Sequence, residues 1–381
     1  AGATLAARLG KRGLRVLVVD RASFPCLPSV PSSPVIHAGG MRILDELGIA
    51  ESAYGPTAAP MRTLTLEFGT YFRTTLHVRE VFGRDYVYGL NRRDFDYALW
   101  QHLERYSTVT RRDNFSVTDV VRDGSGRVVG IVGAPRGEAP TEISADCVVG
   151  ADGRFSTVAH KVGAPIIKEE RVHVSTVYYA EWEGAEPYSD AAQGAHIYTT
   201  GRGLDVPMFL MPGNRLNVNL HLRADRVDIK GDAQRYYEDV LKSQPAVWRR
   251  LKSARQVSQL VGLKRVGNGY RQASGPGWVL VGDALHYKDP VDAQGIYDAL
   301  LEARLLDEAV GTWRSGARSF EQSMAAYETA VHAATGTMFE QTTTRLRREL
   351  YDEPPEFIIK TALRWLMTDP GYHDRFIRYL S

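Results

Sequence analysis

Thiols are scarce in this sequence: Cys26 and Cys147 are the two cysteines among 381 residues, 121 positions apart. Neither a disulfide framework nor a thiolate metal cluster can be built from them, and a reducing cytoplasm is the expected setting. The ten histidines include no His-x-His or His-x-x-x-His pair, so no metal site is expected. A surplus of one charge is missing as well. The 47 Lys+Arg nearly balance the 45 Asp+Glu and leave +2, too little for the basic face that a nucleic-acid partner requires. Long apolar runs are also lacking. Val16–Val19 and Val279–Val281 have the length of strands, far from the ~20 residues of a membrane span, so no membrane partner is expected. No signal peptide is present, and Ala1 already falls inside a helical pattern, so the natural start is expected upstream of it.

What remains is an ordinary globular composition, 44% hydrophobic and 24% charged, long enough for two or three domains. The opening residues 1–13 are Ala-rich, carry Leu5 and Leu9 on one face and stop at Gly13. The β-branched run Val16–Val19 follows and ends on Asp20. Helix, stop and buried strand together form the second half of a βαβ unit, across whose strand ends a dinucleotide lies. Residues 23–40 read as a Pro/Ser/Gly-rich loop, 41–48 as a short helix, 63–67 and 72–77 as strands, and 91–106 as a helix. The segments 117–123 and 127–132 flank Gly124-Ser125-Gly126 as a hairpin. From about residue 170, strands over 172–182, 196–200, 206–211 and 216–222 suggest an antiparallel sheet domain. A helix over 233–252, a buried strand over 277–281 and mainly helices from Gly295 onward complete the chain.

Chemistry concentrates at two strand ends. A buried strand closing on Gly282-Asp283 presents a carboxylate where α/β sheets bind ligands, and a carboxylate suits hydroxyl groups better than phosphates. His286, Pro290 and the Gln294-Gly295-Ile296 entry into the next helix follow it. Pro290 fixes the loop, Gly295 admits a flat ligand close to the backbone, and the helix start offers free N–H groups. The second strand end is Val148-Val149-Gly150-Ala151-Asp152-Gly153. Either turn alone is a common structural connection; two in one chain are a pattern. Asp20 stands 18 residues after Gly2, the spacing at which an acid reaches a ribose hydroxyl. Arg92 and Asp96 form a charged cluster at a helix entry, which on its own also fits a solvated face.

In this order, Ala1-Gly2-Ala3, Asp20 with Arg21, Arg92 with Phe95-Asp96, Asp152-Gly153, and Gly282-Asp283 with Pro290 and Gly295 resemble the single-component FAD-dependent monooxygenases of the aromatic-hydroxylase type. The related geranylgeranyl-reductase-like and halogenase-like flavoproteins share the pattern, which covers nearly the whole chain. The resemblance implies an α/β fold: a Rossmann-like FAD-binding domain with an inserted antiparallel sheet domain for the substrate, and C-terminal helices. Residues 1–60, 84–165 and 266–330 are expected in the FAD domain, 61–83 and 166–265 in the sheet domain, and 331–381 as a C-terminal helical segment. It further makes Gly2 the last glycine of the phosphate fingerprint, Asp20 with Arg21 the adenosine-ribose end, and Arg92 a neighbour of the flavin and its pyrophosphate. Asp152 and Gly153 fall to the pyrophosphate region, Gly282 and Asp283 to the ribityl chain, and Pro290, Gly295 and Ile296 to the edge of the isoalloxazine ring.

The activity implied is oxygenation of an organic small molecule, aromatic or polycyclic and of specialised metabolism. NAD(P)H reduces the flavin, molecular oxygen adds to it as a hydroperoxide, and one oxygen atom passes to the substrate. The alternatives are a flavin-dependent reductase of an isoprenoid-like double bond and a non-catalytic interaction protein of the same fold. His37 and His286 are the candidates for polar or proton-transfer contacts. Tyr178, Tyr179, Trp182, Tyr198, Met208, Phe209 and Met211 fit either core packing or an aromatic-lined substrate pocket. The amphipathic segment 357–367 is expected to pack against the flavin domain rather than a membrane. The chain departs from the family in three places. The first strand and the first two fingerprint glycines do not appear. Ala293-Gln294-Gly295-Ile296-Tyr297 replaces a Gly-Gln-Gly run with an Asn two positions on, and Asp292 has no assigned role. A Trp-x-Trp-x-Ile-Pro halogenase signature is absent, which lowers halogenation among the readings.

Overall fold

The computed structural model describes residues 1–28, 33–187, 194–229 and 231–371. They form two units: Ala1–Thr57, Asn91–Arg171 and Gly267–Thr342 make the first; Ala58–Leu90, Val172–Val266 and Thr343–Ser381 the second. The expected C-terminal segment 331–381 is thus divided at residue 342, and residues 58–60 and 84–90 fall with the sheet unit.

The first unit is mixed α/β. The helix Gly2–Lys11 lays Leu5 and Leu9 into a core shared with Val148, Val279, Leu280, Val281, Ala303 and Leu306. Val16–Val19 pairs in parallel with Val109–Arg112, and Val148–Gly150 in parallel with Trp278–Leu280. The second pair is largely buried, as parallel strands between helices usually are, whereas the first pair is half-buried. Gly10 sits where the first helix meets its neighbouring strand: a Cβ there would lie 2.6 Å from Val109 Cγ2, so only glycine permits this approach. The expected hairpin forms as Phe115–Arg122 and Val128–Pro135, with Gly126 at φ +83° in its turn. The helix expected over 91–106 stays α-helical for Arg92–His102 and tightens into a 3₁₀ turn at Leu103–Arg105.

The second unit is built on an antiparallel sheet. Arg215–Arg223 lies between Ile166–Glu183 and Leu204–Met211, and Ala195–Thr199 adds to the outer side of Leu204–Met211. Thr63–Phe68 pairs in parallel with Ala195–Thr199, and Phe72–His77 pairs antiparallel with Thr63–Phe68. The alternation Arg215-Leu216-Asn217-Val218-Asn219-Leu220-His221-Leu222-Arg223 assigns the two faces. Leu216, Val218, Leu220 and Leu222 join Tyr178, Trp182, Tyr198 and Met208 against Tyr237, Leu241, Val247 and Leu251. The last four come from two helices, Ala233–Lys242 and Pro245–Leu251. A single helix over 233–252 was expected, but Pro245 has no N–H to continue it and instead starts a new one at its first turn. The segment 357–367 lies in the helix Glu356–Thr368 of the second unit, with Phe357, Ile358 and Trp365 exposed. Among the described residues no helix is long and apolar enough to cross a membrane.

Candidate functional site

Three backbone turns of the first unit converge on one spot. A Cβ on Gly282 would come 2.9 Å from Ala1 Cβ, and one on Gly2 3.4 Å from Ala151 Cβ. The start of the first helix and the ends of two parallel strands are therefore within contact of one another. That helix has no side-chain cap and no acid in its first turn, so its leading N–H groups keep their positive end unshielded.

Asp20 closes the strand Val16–Val19, and its Oδ1 accepts the Ala22 N–H at 2.8 Å. Burial pushes its carboxyl up, against that hydrogen bond and the Arg21 charge, while Asp96 and Asp113 push it further up. Arg21 follows at the surface. Arg92 opens the helix Arg92–His102 behind the Asn91 cap, and its fork grips Asp96 at 3.1 and 2.8 Å. Asp152 behaves differently from Asp283. Its Oδ1 accepts from Ser156 Oγ at 2.5 Å and its Oδ2 from the Val158 N–H at 3.1 Å, so both oxygens close the start of Thr157–Val162. Gly153, at φ +80°, makes the turn between them.

Asp283 sits in the 3₁₀ turn Gly282–Ala284, half-buried, and no donor among the described residues meets its carboxylate. Burial pushes that carboxyl up, while Arg154, Arg92 and Lys288 pull it down. The turn is held from behind. Glu302 Oε2 accepts the Gly282 N–H at 2.6 Å, and its Oε1 lies 3.3 Å from His286 Nδ1. The His286 ring stacks on Tyr270 at 4.2 Å. Its side chain is fully buried and burial holds it well below the usual imidazole range. His286 is thus part of the wall, not a proton-transfer group open to a ligand.

Two arginines brace the backbone around Asp283. Arg154 donates to the carbonyls of Gly267 and Lys288, and Arg271 to those of Ala284 and Arg154. Lys288 Nζ lies 2.8 Å from Asp298 Oδ2, and both side chains are buried. Beyond it, Asp289 Oδ1 accepts the Val291 N–H at the turn Pro290–Asp292, and Ala293 follows at φ +53°. Ser33 Oγ donates to the Pro290 carbonyl at 2.9 Å, and Thr342 Oγ1 to Asp292 Oδ2 at 2.6 Å. The His37 ring hydrogen-bonds the Ala293 backbone, and burial lowers its pKa. Its Nε2 is buried and meets no partner among the described residues. Gly295 opens the helix Gly295–Arg314, and a Cβ added there would meet nothing within 4 Å; Ile296 behind it is half-buried.

Gly2, Asp152, Gly282 and Asp283 gather around the converging turns through these contacts and charges, with Arg92 acting on Asp283 from close by. Pro290, Gly295 and Ile296 form a second group on the segment after Asp283, and His37 joins it through the Ala293 backbone. Sequence reasoning missed Arg154, Arg271, Lys288 and Glu302. Only Arg154 carried a signal, standing directly after Asp152-Gly153. In the second unit Tyr178, Trp182, Tyr198 and Met208 belong to the helix-packed core. Phe209 and Met211 alternate to the other face, with Asp205, Asn217, Asn219 and His221, a polar row that the alternation in 215–223 would have shown. Among the described residues no group of His, Cys, Asp or Glu is arranged to hold a metal ion.

A family profile described as "FAD binding domain" matches residues 1–342. The 6-methylpretetramide 4-monooxygenase of Streptomyces rimosus is 26% identical over 317 residues, 80% of this chain and 71% of that protein. Among solved structures, the myxobacterial chondrochloren halogenase CndH superposes with a TM-score of 0.80 at 20% identity, over 97% of this chain and 89% of that one. A geranylgeranyl bacteriochlorophyll reductase-like protein from Thermoplasma acidophilum gives 0.78 at 18% identity, over 95% and 87%. At these identities the two structures show a common fold.

Proposed function

The chain belongs to the FAD-binding-domain family and is an FAD-dependent oxidoreductase; on that premise we propose that it is a monooxygenase using NAD(P)H as reductant. In the proposed reaction one atom of molecular oxygen enters an aromatic or polycyclic small molecule, the other leaves as water, and NAD(P)H gives up two electrons. The observation that carries the reading is the similarity to the Streptomyces monooxygenase across 80% of the chain.

The residues present fit FAD. Asp283 offers a carboxylate that meets no donor among the described residues, suited to a chain of hydroxyl groups, beside Gly282, where an added Cβ would come 2.9 Å from Ala1 Cβ. In this reading Gly2 and the first helix start hold the pyrophosphate, Asp20 and Arg21 hold the adenosine ribose, and Arg92 lies between. Asp152 and Gly153 shape the turn opposite Gly2, and Asp283 with Gly282 binds the ribityl hydroxyls. Pro290, Gly295 and Ile296 present the uncapped start of Gly295–Arg314, whose N–H groups and dipole favour negative charge. When bound, FAD accepts hydride from NAD(P)H and activates oxygen. His37, neutral at physiological pH, fixes the carbonyl of Ala293 and with it the direction of the next N–H groups. Glu302 and His286 hold the Gly282-Asp283 turn from behind and keep water out of it.

The test is to load the protein with FAD, reduce it anaerobically with NADPH, and admit ¹⁸O₂ with a hydroxylated polycyclic aromatic probe. Loss and return of the flavin colour with one labelled oxygen in the product is the expected result. Colour return without label in any product, together with saturation of an isoprenoid double bond, would replace the monooxygenase by a reductase.

A further inference from the structure

The first unit buries an ion pair that no step of the proposed reaction uses. Lys288 Nζ lies 2.8 Å from Asp298 Oδ2, and the two side chains are 5% and 8% exposed. Taking both charges out of water costs about as much as their attraction returns, and apolar residues of similar volume would often hold a fold as well. The reason for the pair is to be found in where its charges stand.

Asp298 stands in the first turn of the helix Gly295–Arg314, its N–H donating to the Gln294 carbonyl at 2.9 Å, and it is the acid of that turn. A carboxylate there is favoured by the helix dipole, but it also offsets the positive end that an anion outside the helix would meet. Lys288 stands two residues before Pro290, between the strand His286–Tyr287 and the turn Pro290–Asp292. The Arg154 guanidinium donates to the Lys288 carbonyl, so the backbone that carries the ammonium is fixed. Its charge is felt by the neighbouring acids. Burial pushes the Asp298 carboxyl up, Lys288 pulls it down by charge and hydrogen bond, and Asp283 and Asp292 push it up again. Where burial raises the Asp283 carboxyl, Lys288 joins Arg154 and Arg92 in lowering it. Lys288 is thus the cation that balances Asp298 beside two further acids, at the start of a helix.

A flavin ring that takes up two electrons and one proton carries one negative charge. An unbalanced carboxylate in the first helical turn repels that charge, and an unbalanced ammonium attracts it. Resting on the reading that places the ring edge at Pro290, Gly295 and Ile296, we infer that Lys288 is a positioning residue for charge: by neutralising Asp298 it keeps the start of Gly295–Arg314 open to the negative charge of reduced FAD. Lys288 acts through Asp298, so the two residues are expected to have opposite and mutually cancelling effects on how readily FAD is reduced.

The test is an anaerobic reduction of the FAD-loaded protein at about pH 8, with electrons supplied slowly by xanthine and xanthine oxidase and a reference dye present to report the potential. At a fixed dye potential the ratio of reduced to oxidised FAD should fall about tenfold in Lys288→Met, equal to about 30 mV for two electrons. It should rise in Asp298→Asn and return to within about threefold of wild type when both substitutions are combined. If Lys288→Met does not fold, the rise in Asp298→Asn and its reversal in the combined variant decide. A pair that serves packing alone would leave the ratio unmoved in every folded variant, or move it in the same direction in both single ones, and either result overturns the inference. No turnover is needed for this reading, so the outcome is separate from that of the oxygenation test: an unmoved ratio beside labelled product rejects only the role of Lys288, and the expected ratios without labelled product reject only the monooxygenase.

Discussion

Asp152 and Asp283 both follow a strand and both precede a turn, yet one spends its oxygens on the protein and the other does not. Ser156 Oγ and the Val158 N–H take both oxygens of Asp152, whereas Asp283 faces outward with no donor among the described residues. Asp283→Ala is therefore expected to lose FAD on gel filtration. Asp152→Ala should retain more FAD and instead lose about 1 kcal/mol of stability with its cap. Equal retention of FAD by the two variants would overturn the ribityl assignment of Asp283. At this scale the sequence showed the acids, because glycine beside an acid at a strand end is a local pattern. It could not show Arg154, Arg271 or Lys288. Their partners are backbone carbonyls or an acid ten residues away on a helix, and nothing local marks such contacts.

Elements were legible where period and breakers agreed. The strand Arg215–Arg223 alternates without interruption, and the Gly124-Ser125-Gly126 hairpin formed where its turn residues stand. The split at Pro245 was missed because the apolar period runs across it, although the proline itself was in view. One glycine shows how tightly the elements are set. Gly277 adopts φ +80° just before Trp278–Leu280, and an added Cβ would overlap the Val128 carbonyl oxygen. Gly277→Ala should destabilise the protein by about 1–3 kcal/mol in denaturant unfolding, and with it the strand that carries Asp283. A change below about 0.5 kcal/mol would mean the backbone there can relax.

For the molecule as a whole, the buried His286–Glu302 pair predicts the shape of the pH–stability curve. Burial lowers His286 below 6.5, so the unfolded chain takes up a proton that the folded one refuses, and stability falls as pH drops through and below that value. Burial raises Glu302 well above 4.5, so the folded chain keeps a proton that the unfolded one releases, and stability falls as pH rises from there. His286→Gln should flatten the acid limb and Glu302→Gln the alkaline limb in thermal unfolding followed across pH. If both limbs survive both substitutions, other groups set the curve. The fold class was legible at this scale because motif order survives when individual residues change. The division of residues 331–381 was not, because one uninterrupted helical pattern crosses it.

The chain passes between its two units five times, at residues 57/58, 90/91, 171/172, 266/267 and 342/343. Neither unit is therefore a cassette that recombination could lift out at two cut points. Exchanging the sheet unit with that of a relative requires three coordinated replacements, 58–90, 172–266 and 343–381, with every junction preserved. During synthesis, too, the first unit stays incomplete until residue 342 has left the ribosome, so the helix Gly2–Lys11 waits for strands and helices far downstream before its core can close.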